Sequence, residues 1–398
     1  MSGIVQLAAG KDKPVRHLHP WVFSGAISET RGAPKPGEVV EVVDARGDWL
    51  ARGYYNPKSQ IVVRILTWDQ DEKIGREFWA RRLTAAAEMR DALELARDTN
   101  GYRLAFAESD RLPGLVVDRY GDWLSVQFLT LGVDARKEIL VGLLMELFRP
   151  AGIVDRSDPV ARRQEGLRTE GGLLAGRMPP EDLQIMEHGL RFPVDLLVGQ
   201  KTGFYLDQRE NRRLVARLAR GKRVLNAFSF TGAFAVHALA GGAVHVTNVD
   251  TSMEALEGAE TALRLNQFDP DAQAEGIHGD VFQVLRGLRD EGRQFDMVIL
   301  DPPKFARSKA DLDGAARGYK DINLSGMRLL APGGVLATFS CSGLVTPDLF
   351  QKIVFGASVD AGRTAQVVAR LTQASDHPLL LTFPEGEYLK GLLARMAD

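Results

Sequence analysis

Residues 223–250 read "RVLNAFSFTGAFAVHALAGGAVHVTNVD", and the fold turns on them. A short apolar run ends in Asn226-Ala227-Phe228, and a turn carrying Thr231 and Gly232 leads into an apolar helical stretch. A second apolar run then ends in Asp250. Parallel strands cannot be joined by a hairpin, so strand, helix, strand is the repeating unit of a parallel sheet. "FDMVILD" and "GVLATFSCS" supply two more strands, and stretches such as "SMEALEGAETALRLN" are helical in period. Residues 185–398 are therefore expected to form a doubly wound α/β domain. Its ligands should sit at the carboxyl ends of the strands, where the strand order reverses.

The strand ends narrow the ligand. No G-x-G-x-x-G follows the first strand, so a close pyrophosphate approach has no support. Gly232 still allows a tight turn into the next helix. Asp250 ends the second strand, where a carboxylate can accept hydrogen bonds from ribose hydroxyls. Asp280, in "HGD", follows the third and could meet an adenine amino group. Taken singly, each aspartate is as readily a loop cap; in order, they suggest an adenosine cofactor without a pyrophosphate, S-adenosylmethionine. In "FDMVILDPPKFARSK" (295–309) the fourth strand runs straight into Asp301-Pro302-Pro303. Two prolines end the strand, remove two backbone donors and stiffen the turn, which holds a carboxylate rigidly against a planar heterocycle.

"FSCSG" (339–343) holds Cys341, the only cysteine of 398 residues. One cysteine makes no internal disulfide and no zinc cluster. Cys341 is either a small buried hydrophobe or a nucleophile. The seven histidines (17, 19, 188, 237, 245, 278, 377) have no metal-ligand spacing, His237 reads as a packing residue of the helix after the first strand, and no metal is implied.

The remaining sequence divides into two parts. Residues 1–72 read as short strands and turns, with a hairpin in "PGEVVEVVDARGDWLARGYYN", and suggest a small β-barrel. Residues 73–184 carry two helical stretches and a strand pair turning at Tyr120-Gly121-Asp122, a small α+β domain; "DPVARRQEGLRTEGGLLAGRMPPED" within it reads as a loop or hairpin outside any core. Composition is that of a globular protein, 45% hydrophobic and 26% charged. No apolar run approaches membrane-spanning length, and the start lacks a secretory signal, so no membrane association and a cytoplasmic location are expected. Net charge is −2, so nucleic acid would have to be met by a local patch rather than by the whole molecule's field. Nine Lys/Arg against seven Asp/Glu through residue 70 make only a mild bias.

"GQKTGFYLDQRENRR" (199–213), "NAFSFTGAFA", "DPPKFARSK", "ARGYKDIN" (316–323) and "FSCSG" occur in this order, after an opening "RHLHPWVFSGAI" (16–27). Together they closely resemble the RlmI-type methyltransferases, which methylate C5 of cytosine in 23S ribosomal RNA. The likeness is strongest over 199–343. It implies a PUA domain (a small RNA-binding barrel), a small α+β domain and a Rossmann-like class I methyltransferase domain. It further implies S-adenosylmethionine as cofactor, 23S rRNA as partner and a homodimer.

The resemblance gives Cys341 the role of nucleophile. C5 of cytosine is a poor nucleophile, and a thiolate added to C6 makes it enamine-like. Asp301 is then the group that protonates or hydrogen-bonds N3. Thr202, Phe204, Asp207 and Arg209 would border the cofactor with Asn226, Phe228, Thr231, Gly232, Asp250, Asp280, Asp301 and Pro302. Arg209 could pair with its carboxylate or merely begin a solvated helix. Arg317, Tyr319, Lys320 and Asn323 either face RNA or start a structural helix, and Trp21 and Phe23 are either base-stacking residues or barrel core. Many RNA cytosine-C5 methyltransferases carry a second cysteine beside the Asp-Pro motif; here Lys304 and Phe305 stand there, which leaves product release without an assigned residue. Two rivals remain: a guanine amino-group methyltransferase, whose target nitrogen needs no thiol, and a non-catalytic assembly factor that binds RNA only.

Overall fold

The computed structural model describes residues 3–169, 171–197, 203–306 and 308–397. Two compact units result: one formed by 1–185, 194–206 and 375–386, the other by 186–193, 207–374 and 387–398.

In the first unit six strands make one sheet: Gly3–Leu7, Trp21–Phe23, Ile27–Arg31, Val39–Val43, Trp49–Tyr55 and Ile61–Thr67. The "EVVEVV" and "WLARGYY" runs pair antiparallel across the Ala45-Arg46-Gly47-Asp48 turn, as their alternation requires. Val5, Leu7, Val40, Val42, Ala51 and Val63 are the inward-facing positions of these strands. Trp21 is half-buried, its Nε1 donating to Glu108 at 2.8 Å, whereas Phe23 is exposed. The barrel-core alternative therefore fails for Phe23.

A five-stranded sheet follows in the same unit: Gly101–Phe106, Leu115–Tyr120, Trp123–Phe128, Gly152–Asp155 and Gly172–Gly176. Its last strand lies in the polar segment read from sequence as a loop or hairpin outside any core. That segment instead contributes a helix, Pro159–Gln164, and an edge strand paired antiparallel with Gly152–Asp155. Its polarity misled because an edge strand buries little, and because Arg162 is buried through its carbonyl and Asp134 partners rather than by apolar contact. Tyr54 and Leu66, from the first sheet, lie in one apolar cluster with Trp79, Leu104 and Val117, so the two sheets share a core.

The second unit is a seven-stranded sheet: β1 (Arg223–Ala227), β2 (His245–Asp250), β3 (Ala274–His278), β4 (Phe295–Leu300), β5 (Leu330–Ser340), β6 (Ala365–Thr372) and β7 (Lys390–Met396). The order is β3-β2-β1-β4-β5-β7-β6. The first five strands are parallel, and β7 inserts antiparallel between β5 and β6. The strand order reverses between β1 and β4. Helix α1 (Arg209–Leu218) precedes β1, and α2 (Ala233–Ala240), α3 (Met253–Leu265), α4 (Val281–Asp290), α5 (Leu312–Arg328) and α6 (Pro347–Ala361) lie between successive strands. Central strands are buried on both faces, which explains the continuous apolar "MVIL" of β4. α4 and α5 pack by one face each: Leu285 and Leu288, and Ala315, Tyr319 and Ile322 at helical spacing, meet β4 and β5.

Between α1 and α2 lies a buried charged cluster. Arg212 of α1 gives two parallel hydrogen bonds to Glu187, both 2.6 Å, and the Nε2 of His237 on α2 lies 3.0 Å from the same carboxylate. Phe192 stacks on the His237 ring at 5.7 Å. Burial pushes the Glu187 pKa up, but the Arg212 charge and the hydrogen bonds from His237 and Arg212 outweigh it and hold the group at about 2.

Candidate active site

At the end of β1 the chain makes a strained turn. Phe228 and Phe230 both have positive φ (60° and 46°), and Gly232 follows at 70° before α2 begins. A Cβ on Gly232 would lie 2.6 Å from that of Ala259 on α3, so glycine is required twice over, by torsion and by packing. Asp250, at the end of β2, fixes the turn: Oδ2 accepts from the Phe230 N–H at 2.8 Å and Oδ1 from Ser252 N–H at 3.0 Å. Each carboxylate oxygen keeps a lone pair for a further donor. The hydroxyl of Ser229, in the same turn, is buried and makes no hydrogen bond among the described residues. An acidic acceptor and an orphaned hydroxyl at the switch point fit a nucleoside with ribose hydroxyls.

Other expected cofactor residues fall less simply. Asp280 caps α4, accepting from Gln283 N–H at 3.0 Å, and stays exposed. Phe228 forms an aromatic cluster with Phe282 and Phe305 (centroids 6.5 and 6.4 Å), an apolar wall beside the same strand ends. Thr231 is half-buried at the turn. Asn226 is buried within the sheet and donates to Asn248 across the β1–β2 pair at 2.9 Å, so its amide serves strand pairing. Asp207 accepts from the Tyr388 hydroxyl at 2.6 Å. Arg209 is fully buried with Glu210 3.2 Å away, which rules out the solvated-face reading. Phe204 belongs to the first unit, where its N–H donates to the Tyr120 hydroxyl at 3.3 Å. Thr202 lies outside the described residues.

Across the switch point, β4 delivers Asp301 half-buried, with its N–H 3.5 Å from the Ala227 carbonyl of β1. Pro302 is buried. Cys341 leaves the end of the neighbouring strand β5, partly exposed, with Sγ 4.0 Å from the Pro302 carbonyl. Thiol and Asp-Pro turn, 39 positions apart in sequence, thus meet at adjacent strand ends.

The serines of "FSCSG" explain how the thiol is presented. Ser340 donates to the Tyr319 hydroxyl at 2.9 Å, and Ser342 lies 3.0 Å from the same oxygen. Ser342 also accepts from Ala306 N–H, in the loop after the prolines, at 3.2 Å. Both serines are fully buried and clamp the backbone to α5 and to the β4 loop, leaving Cys341 between them partly exposed. Tyr319 and Asn323 are fully buried, so the RNA-facing reading fails for both; Arg317 is exposed, and Lys320 pairs with Asp360 at 2.7 Å. Lys390, at the start of β7, also reaches the site, donating from Nζ to the Ser342 carbonyl at 2.7 Å. No sequence motif marks it.

Residues 168–385 match the family described as S-adenosylmethionine-dependent methyltransferase, and residues 5–68 match a PUA-like domain. Ribosomal RNA large subunit methyltransferase I of Tolumonas auensis is 50% identical over 99% of this chain and 100% of its own length; that of Escherichia coli O139:H28 is 48% identical over the full length of both. The chain belongs to the ribosomal RNA large subunit methyltransferase I family of S-adenosylmethionine-dependent methyltransferases. In fold it is similar to SMU.776, solved in complex with SAH, with a TM-score of 0.87 at 21% identity over 99% of this chain and all of that one. S-adenosylmethionine is the cofactor, and the Asp250 turn at the β1–β4 switch point has the donor and acceptor set to receive it. No helix among the described residues is long and apolar enough to cross a membrane.

Proposed function

We propose that this enzyme methylates C5 of a cytosine in 23S ribosomal RNA through a covalent bond between Cys341 and C6. The observation that carries the reading is the seat of the only thiol: partly exposed, at the end of β5, beside the rigid Asp301-Pro302 turn of β4. A cysteine kept merely for packing would be buried, whereas this one stays partly exposed between two buried, hydrogen-bonded serines.

The cofactor supplies an electrophilic methyl group. The protein's part is to make C5 able to attack it. The Cys341 thiolate forms the Sγ–C6 bond, and the C5–C6 π electrons become available at C5 while Asp301 gives a proton or hydrogen bond to N3. After transfer the C5 proton leaves, its electron pair re-forms the C5–C6 double bond, and the Sγ–C6 bond breaks to return the thiolate. A stacked base hides C6, so the cytosine must be unpaired or flipped. The PUA-like domain would hold flanking RNA, with Phe23 an exposed aromatic for stacking. The ribosomal substrate implies work in the cytoplasm, and the family resemblance favours a homodimer.

The test is wild type and Cys341→Ser incubated with unmodified large-subunit rRNA and S-adenosylmethionine, the digested nucleosides being identified by mass spectrometry. 5-Methylcytidine from wild type and none from the variant is expected. Methylguanosine, or methyl transfer that survives the substitution, would refute the thiolate mechanism and favour an amino-group target.

A further inference from the structure

Lys390 is a buried cation with an unusual neighbourhood. It opens β7, and its backbone pairs with Ser340, the residue before the thiol. Its Nζ crosses the end of β5 and closes on the carbonyl of Ser342, the residue after the thiol. Cys341 is thus bracketed on both sides by one lysine. Only 4% of Lys390 is exposed, and the partner its Nζ meets among the described residues is that carbonyl. A cation buried against a neutral carbonyl is costly, and a nearby anion offsets that cost.

We propose that Lys390 is the charge partner of the Cys341 thiolate, the ammonium that keeps the thiol ionised for attack on C6. This rests on the cysteine-adduct reading above. The proton balance is simple: where the amine is neutral it takes the thiol proton, giving ammonium and thiolate; where it is already ammonium the proton goes to solvent and the pair forms directly. Burial lowers the Lys390 pKa to about 8, while the Cys341 and Glu387 charges raise it and Lys304 lowers it. An unperturbed thiol lies near 8.5, so the two groups are matched closely enough for one proton to pass between them. Tyr319 also feels the thiol; burial raises its pKa, with the Cys341 charge adding to the shift, so it stays a neutral hydroxyl.

Because the chain has one cysteine, thiol alkylation titrates Cys341 alone. The rate of iodoacetamide reaction would be followed from pH 6 to 10 in wild type, Lys390→Met and Lys390→Arg, all full-length and checked by circular dichroism. The expected result is a wild-type thiol midpoint below the ordinary ~8.5. Lys390→Met should raise it by about one unit, a roughly tenfold slower reaction at neutral pH, and Lys390→Arg should keep it low. Superposed profiles for wild type and Lys390→Met would overturn the proposal. Should Lys390→Met not fold, the reciprocal reading applies: the Lys390 ε-carbon resonance, titrated by NMR, should show a lower midpoint in Cys341→Ser than in wild type, and an unchanged midpoint would overturn it. Neither experiment needs RNA. A coupled pair with an active Cys341→Ser enzyme therefore sinks the adduct reading alone, and an inactive Cys341→Ser enzyme with uncoupled titrations sinks the pair alone.

Discussion

Replacing Arg212 by methionine tests the buried charged cluster of Glu187, Arg212 and His237. Methionine keeps much of the volume and removes the guanidinium that gives Glu187 two hydrogen bonds of 2.6 Å in a fully buried site. Stripping one partner from a buried pair leaves an uncompensated charge, and the expected loss at pH 7 is about 3–5 kcal/mol. The pH dependence sharpens the test. In wild type the Glu187 pKa sits at about 2, below its unfolded value near 4.5. Its contribution, about 3 kcal/mol from that difference, is fully present above pH 4.5 and lost as pH falls toward 2. In the variant the burial cost is no longer outweighed, so the folded state gains a proton, on Glu187 or on His237, more readily than the unfolded chain does. The deficit relative to wild type should therefore shrink as pH falls from 7.5 to 5. The double variant Glu187→Gln/Arg212→Met should recover most of the loss and show no such slope. The assay is urea unfolding followed by ellipticity at 222 nm. Tryptophan emission is the wrong probe, since Trp21, Trp49, Trp68, Trp79 and Trp123 all lie in the first unit. A deficit below about 1 kcal/mol at pH 7, or one constant across that pH range, would refute the reasoning.

Gly232→Ala should cost about 1–2 kcal/mol of stability and weaken SAH binding at least tenfold by calorimetry, because the new Cβ meets Ala259 at 2.6 Å and the positive φ disfavours it; unchanged affinity would mean the turn does not shape the cofactor site. Tyr319→Phe removes the hydroxyl shared by Ser340 and Ser342 and should cost about 1–2 kcal/mol. Methyl transfer should fall with it through kcat rather than through cofactor affinity, and an equal loss in both would argue against a role in presenting the thiol.

Much of this protein was written along the chain. The alternation of apolar runs and helical periods from residue 223 onward determined the parallel sheet. Asp250, Asp301-Pro302 and Cys341 stand where strands end because a strand end is a local event, marked by proline, glycine and a change of polarity over a few residues. The edge strand Gly172–Gly176 escaped that reading, since a strand paired on one side need not look apolar. What only the tertiary structure decided is which strand ends become neighbours. Cys341 and Pro302 meet through the β4–β5 pairing, and Lys390 reaches Ser342 from 48 positions further on because β7 returns antiparallel along β5. In sequence, Lys390 is one charged residue before an apolar strand, indistinguishable from a solvated edge lysine. Tyr319 likewise looks like any polar-faced helical residue until both serines converge on its hydroxyl. A local pattern fixes where a side chain lies on its own element; burial and partnership are properties of the elements packed against it, and those are set by the strand order.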